Sequence, residues 1–194
     1  MKSLNNYISE WKASSNNMSS IKTQYFVYIN ELNYVNIKIF DRDWKQFNDY
    51  KDSVYVNGKH IEIDDDGWTK DYFNQGDLKI EIKGIDEIVN CNYMFYECTC
   101  LVEVPLFDTS KVKEMYKMFL GCKHLKNVPC LNTKNVTTMY SMFQDCENLE
   151  EVPKFNIDNI EDLNFIFYGC PDLNRITIKN WSSVYDFETN KQKI

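Results

Sequence analysis

Four cysteines, Cys98, Cys122, Cys146 and Cys170, follow one another in steps of 24 residues. The same step joins Phe95, Phe119, Phe143 and Phe167, and also Leu101, Leu125, Leu149 and Leu173. It joins Val104, Val128, Val152 and Ile176, and Met94, Met118, Met142 and Ile166. Ile88, Val112, Val136 and Ile160 form a further column, and Cys91, Met115, Met139 and Leu163 another. Pro105, Pro129 and Pro153 add one more, which Thr177 breaks. Columns held in one register mark an internal repeat, with one supersecondary unit per period. A unit this short cannot bury its apolar columns alone, so neighbouring units must stack.

The period falls in the range of leucine-rich repeats. Leu101-x-x-Val104-Pro-Leu106 reads as a strand. Val112, Met115, Met118, Phe119 and Cys122 fall at helical spacing, which predicts a helical or 3-10 return limb. Phe107-Asp-Thr-Ser110 reads as the turn between them. The expected fold class is α+β, a short leucine-rich-repeat solenoid with a parallel sheet and helical or 3-10 return limbs. A small N-terminal β-rich domain caps it. Leu78–Lys83 is expected to supply a strand in register, since Ile80 precedes Val104 by one period. Ile176-Thr-Ile178 is expected to be the last strand, and Trp181–Phe187 to restart the helical limb.

Three segments are expected. Residues 1–20 hold an amphipathic helix and a polar linker, with Leu4, Tyr7, Ile8 and Trp11 on one stripe. That helix either packs back on the cap or serves as a docking peptide. Residues 21–83 form the β-rich cap, with strands at Tyr25–Asn30 and Val35–Phe40 and a short helix within Asp41–Tyr50. A hairpin spans Val54–Ile63 around Asn57-Gly58. Residues 84–194 hold the repeats and a C-terminal cap.

Charge narrows the partners. The 194-residue chain carries a net charge of -7, with its lysines and arginines scattered. Nucleic acid is excluded as an expected partner, because a phosphate backbone demands a basic face. No apolar stretch approaches the roughly 20 residues of a membrane helix, so membrane insertion is not expected. The N-terminus lacks an apolar signal region, which predicts cytoplasmic synthesis without a signal peptide, and export, if any, within a particle. The seven cysteines are accordingly expected as thiols.

Candidate chemistry reduces to packing. The Cys98–Cys170 column reads as an inward ladder of small apolar residues, although stacked cysteines also suit a disulfide or zinc. Cys98-x-Cys100 and Cys122-x-His124 look like ligand pairs, yet Cys100, His124, Asn148 and Asp172 share one variable column. Asp64-Asp-Asp-Gly67 lacks the spacing of a calcium loop and reads as a polar turn. His60 and His124 have no nucleophile in a recognisable local context, and no phosphate-binding or dinucleotide fingerprint occurs. No catalytic residue, cofactor or metal is expected. The expected contact surface is the outward strand face: Glu103, Asn127, Glu151 and Arg175, with Pro105, Pro129, Pro153 and Thr177 beside them. Tyr116 and Tyr140 share another column, with Asn92 and Asn164.

The units LVEVPLFDTSKVKEMYKMFLGC and LKNVPCLNTKNVTTMYSMFQDC resemble the BspA-type leucine-rich-repeat surface proteins, over about residues 78–187. The V-P, D-T-S and M-F-x-x-C elements carry the resemblance. It implies a surface-display or adhesion module that binds a protein or glycan without catalysis. The compact repeat and the N-terminal helix are also similar to copies carried by tailed phages. That implies an alternative, a structural component of a virus particle docked through Leu4, Tyr7, Ile8 and Trp11. Virion proteins or a second copy of the chain would then be partners.

Overall fold

The computed structural model describes residues 26–30, 37–56, 58–70 and 76–193. Alternating apolar residues build its sheet. Strand β1 (Phe26–Asn30) buries Phe26 and Tyr28, and β2 (Val54–Val56) buries Val54 and Val56. β3 (Lys59–His60) is exposed, and β4 (Gly76–Ile82) buries Ile80 and Ile82 between exposed or half-buried Lys79 and Glu81. β5 (Leu101–Glu103) completes the order β3-β2-β4-β1-β5, every pair antiparallel. A period of two puts one face inward and leaves the other to water.

The short helix α1 (Phe47–Tyr50) carries Phe47 and Tyr50 into the same core. Gly58 has φ +76 in the β2–β3 turn, while Asn57 lies outside the described residues. Asp64 closes the acidic loop itself: its Oδ1 accepts from the backbone N–H of Asp66 and Trp68, both at 2.9 Å. Gly67 is required there, since a Cβ would lie 1.9 Å from the Phe40 carbonyl oxygen. The expected Val35–Phe40 strand is reduced, within the described residues, to one bridge between Lys38 and Trp68.

In the repeats, turns alternate with bonds to the next unit. Met94 N–H donates to Cys91 O, Cys98 to Phe95 and Leu101 to Cys98, each spanning three residues. Between these, Cys91, Tyr93, Phe95 and Glu97 donate to Glu114, Tyr116, Met118 and Leu120 of the next unit. Met115, Lys117, Phe119 and Gly121 repeat the pattern toward Thr138, Tyr140, Met142 and Gln144, and Met139–Asp145 toward Asp162–Tyr168. Side chains add rungs. Thr109 and Thr133 hydroxyls donate to Asn132 O at 3.0 Å and Asn156 O at 2.6 Å. Cys122, Cys146 and Cys170 thiols donate to Phe95, Phe119 and Phe143 carbonyls at 3.1, 3.0 and 2.9 Å.

This corrects the expected leucine-rich-repeat solenoid with a parallel sheet and helical return limbs. The five-stranded sheet is antiparallel, and among the described residues parallel pairing is confined to the isolated bridges Glu114–Thr138, Asn127–Glu151 and Thr138–Asp162. Two physical causes are visible. Pro105, Pro129 and Pro153 have no N–H to give a ladder, so extended segments stop short of pairing. The M-x-x-M-F segments cannot be helical, because Tyr93, Lys117, Ser141 and Phe165 have φ between 52 and 61°. Glu97, Gly121, Asp145 and Gly169, four residues on, are left-handed as well. Leu78–Lys83 is also corrected: β4 forms there but lies antiparallel between β1 and β2. Ile176-Thr-Ile178 is not a strand but part of helix α2 (Arg175–Trp181), capped by Asn174, whose side chain accepts from Thr177 N–H at 2.9 Å. The Trp181–Phe187 segment is not helical past α2; it enters β6 (Tyr185–Asp186), paired antiparallel with β7 (Lys191–Gln192).

One apolar core runs through both halves. Phe95, Phe119, Phe143, Phe167 and Phe187 stack with centroids 5.5 to 6.0 Å apart and planes within 7°. Offset stacking adds to simple area burial. At one end Phe26 and Phe40 cover Phe95, at 5.3 and 5.9 Å. Trp44 Nε1 donates there to Asn90 O at 2.6 Å. At the other end Asn190 O accepts Phe165 N–H at 2.8 Å and Gln192 Oε1 accepts Leu163 N–H at 3.0 Å.

Candidate functional site

The residues of the expected outward strand face lie in different settings. Glu103 is exposed at the edge of the antiparallel sheet, opposite Val27. Asn127 and Glu151 do meet in a bridge, and Glu151 Oε1 accepts from Asn174 Nδ2 at 3.0 Å. Pro105, Pro129 and Pro153 are half-buried. Thr177 requires correction as a contact residue: it is 2 % exposed inside α2, and its Oγ1 accepts Val152 N–H at 3.1 Å. Arg175 opens α2, and its side chain lies outside the described residues, as do Leu4, Tyr7, Ile8 and Trp11.

A different surface is continuous. Tyr116 and Tyr140 stack at 5.2 Å with planes 10° apart. Tyr93 meets Tyr116 edge-on at 5.3 Å, and Phe165 meets Tyr140 edge-on at 5.7 Å. Tyr96 extends the row beyond Tyr93 and Tyr168 beyond Phe165. All are half-buried except Tyr168, which is 47 % exposed. Half-exposed tyrosines present apolar area and a polar group together, which is why they are favoured at interfaces.

Repeat geometry builds this row. Tyr116 and Tyr140 occupy equivalent positions, one period apart. Tyr93 and Phe165 sit one residue later in their units, at left-handed backbone positions, which tips their rings edge-on to the stack. Sequence columns expose only the Tyr116–Tyr140 pair. Tyr93, Phe165, Tyr96 and Tyr168 belong to columns of mixed residue type, and only three-dimensional stacking merges them. A search for aromatics in adjacent columns would find them.

The row is electrostatically mixed. Lys117 Nζ lies over both Tyr93 and Tyr116, 5.8 and 5.1 Å from their centroids, and Lys38 lies over Tyr96 at 5.6 Å. Lys38 also pairs with Asp41 at 2.6 Å. Burial raises the Tyr93 phenol, aided by a hydrogen bond with Tyr116 and by the Asp43 charge. Burial likewise raises Tyr96, with Glu97 next and Asp41 and Asp43 after it.

The thiols behave as core. Cys91, Cys98, Cys122 and Cys146 are fully buried, and burial raises each well above the ordinary thiol range. Burial pushes Cys170 up to about 12. Such thiols are poor nucleophiles, because the thiolate is the reactive form. Among the described residues no two cysteines form a disulfide. Among the described residues no group of three or more His, Cys, Asp or Glu is placed to hold a metal ion, and no helix is long and apolar enough to cross a membrane.

A family model described as Mycoplasma protein of unknown function, DUF285, matches residues 85–192, more than half of the chain. The match begins in the 3-10 turn Ile85–Glu87 and ends in β7, so it spans the repeats and the closing hairpin. No curated protein and no solved structure matches the chain.

Proposed function

Since the chain belongs to the family described as Mycoplasma protein of unknown function, DUF285, we propose a role from its own surface: a non-enzymatic interaction module that binds a protein or glycan. The aromatic row from Tyr96 to Tyr168 carries the reading. Its rings are held by the repeat scaffold, so little side-chain freedom is lost on binding, and rigid tyrosines are frequent hot spots. The proposal includes kinship with BspA-type repeat proteins, on the V-P, D-T-S and M-F-x-x-C elements.

The test is affinity capture from the source lysate. Three baits are compared: the full chain, Tyr116→Ala/Tyr140→Ala, and a chain lacking residues 1–20. The module reading expects the same partner on the full and shortened chains, and its loss from the double variant. Capture of phage capsid or tail proteins by the full chain and the double variant, but not by the shortened chain, would replace it with the particle-component reading.

A further inference from the structure

The aromatic row also has a preference of charge. Its own cations show what it accepts: the Lys117 ammonium sits against two tyrosine rings and the Lys38 ammonium against a third. A cation over an aromatic face is attracted by the ring quadrupole. Among the described residues, carboxylates also act on these rings. Lys38 is neutralised by Asp41. Asp43 and Glu97 are exposed and act on Tyr93 and Tyr96. Glu114 lies one rung from Asn92, whose side chain holds Tyr116 N–H at 2.8 Å. Among the described residues, Lys117 and the Asp41-paired Lys38 are the cations over these rings, against Asp43, Glu97 and Glu114, and Arg42, which also acts with Asp43, is paired with Asp66. The whole chain carries a net charge of -7, so the surrounding field has the same sign.

Building on the aromatic row as the working surface, we propose that its partner is a cationic protein segment, bearing arginine or lysine side chains that lie across the tyrosine rings and pair with Asp43 and Glu97. Arginine suits it best, because a planar guanidinium stacks on rings and bonds carboxylates at once. Lys117 holds ring area that the incoming cation would use, so it competes with the ligand.

The probe is a fluorescein-labelled nona-arginine peptide, titrated into the full chain and read by polarisation at low and at physiological salt. Binding should weaken with salt. Tyr116→Ala/Tyr140→Ala should lose affinity by about tenfold or more. Lys117→Gln should bind about threefold more tightly, a gain that misfolding cannot imitate. If the double variant fails to fold, Lys117→Gln is judged against Lys154→Gln, which makes the same charge change at an exposed site outside the row: a gain in Lys117→Gln alone supports the proposal, and an equal gain in both, or none in Lys117→Gln, overturns it. Peptide affinity unchanged by Tyr116→Ala/Tyr140→Ala and raised alike by Lys117→Gln and Lys154→Gln means diffuse attraction to the acidic chain, and the proposal fails while the row keeps its reading as a contact surface. Cellohexaose bound through the two tyrosines, with no peptide binding, also overturns it and leaves that reading standing. If the double variant changes neither probe nor lysate capture, the reading beneath it falls too.

Discussion

Ser141 carries two unfavourable features at one position. Its φ is +52, and its buried hydroxyl has no hydrogen-bond partner among the described residues. A left-handed backbone costs an L-residue about 1–2 kcal/mol, and a buried unsatisfied hydroxyl about 1–3 kcal/mol. Glycine removes both, at a chain-entropy cost of about 0.5–1 kcal/mol. Ser141→Gly is therefore expected to stabilise the protein by about 1 kcal/mol, read as a higher urea midpoint at unchanged slope. The Ser141 N–H bond to Asn164 O is a backbone bond and survives the change. A lower midpoint would show that the hydroxyl has a role in the core. The alternation of Glu97, Gly121, Asp145 and Gly169 follows related logic. A Cβ at Gly121 would lie 3.3 Å from Glu97 Cγ, and one at Gly169 would lie 2.2 Å from Asp145 Oδ1. An acid in one unit thus occupies the space that a glycine in the next leaves open.

The turn is the element that joins one unit to the next. Thr133 is 2 % exposed and its hydroxyl spans to Asn156 O. Thr133→Val keeps the shape and deletes the donor, leaving a carbonyl short of a partner. The expected loss is about 1–2 kcal/mol by chemical denaturation, and an unchanged midpoint would show that the rung contributes nothing. At this scale the sequence is partly legible. The inward residues Cys91, Met94, Phe95, Cys98, Leu101 and Val104 are all buried, as their columns imply. Their backbone is not legible. Turns closed every three residues place a side chain inward every three, which over one unit resembles the 3.6 period of a helix. The left-handed positions are disguised as well, because only Gly121 and Gly169 advertise them. The aromatic row is half legible for a related reason: a column records one position per unit, whereas the row crosses columns.

Across the whole molecule, burial of thiols makes stability depend on alkaline pH. Unfolded thiols titrate near 8.5. In the fold Cys91, Cys98, Cys122 and Cys146 are raised far above that, and Cys170 and Tyr185 reach about 12. These acids are held neutral, so the unfolded chain loses protons first as pH rises. Their contribution is fully present below about pH 8.5 and is lost progressively toward 12, by up to about 1.4 kcal/mol per thiol per pH unit. Melting temperature is expected to be flat from pH 7 to 8 and to fall steeply from 9 upward; replacing Cys122 and Cys146 together by alanine should flatten that fall while lowering stability at neutral pH. A curve equally steep in the double variant would place the effect elsewhere.

The backbone bonds that begin at Cys91, Tyr93, Phe95 and Glu97 and recur in the next units each reach 23 residues along the chain, and both ends of the stack are closed by segments unlike the units between them. An in-frame duplication of one unit would therefore slot between the closures without disturbing either. Because a repeat brings its own outward tyrosine, as Tyr116 and Tyr140 do, such an event would lengthen the aromatic row by one ring. On the binding role proposed above, partner avidity would then be a trait that recombination adjusts in whole steps, rather than one that point mutation must refine.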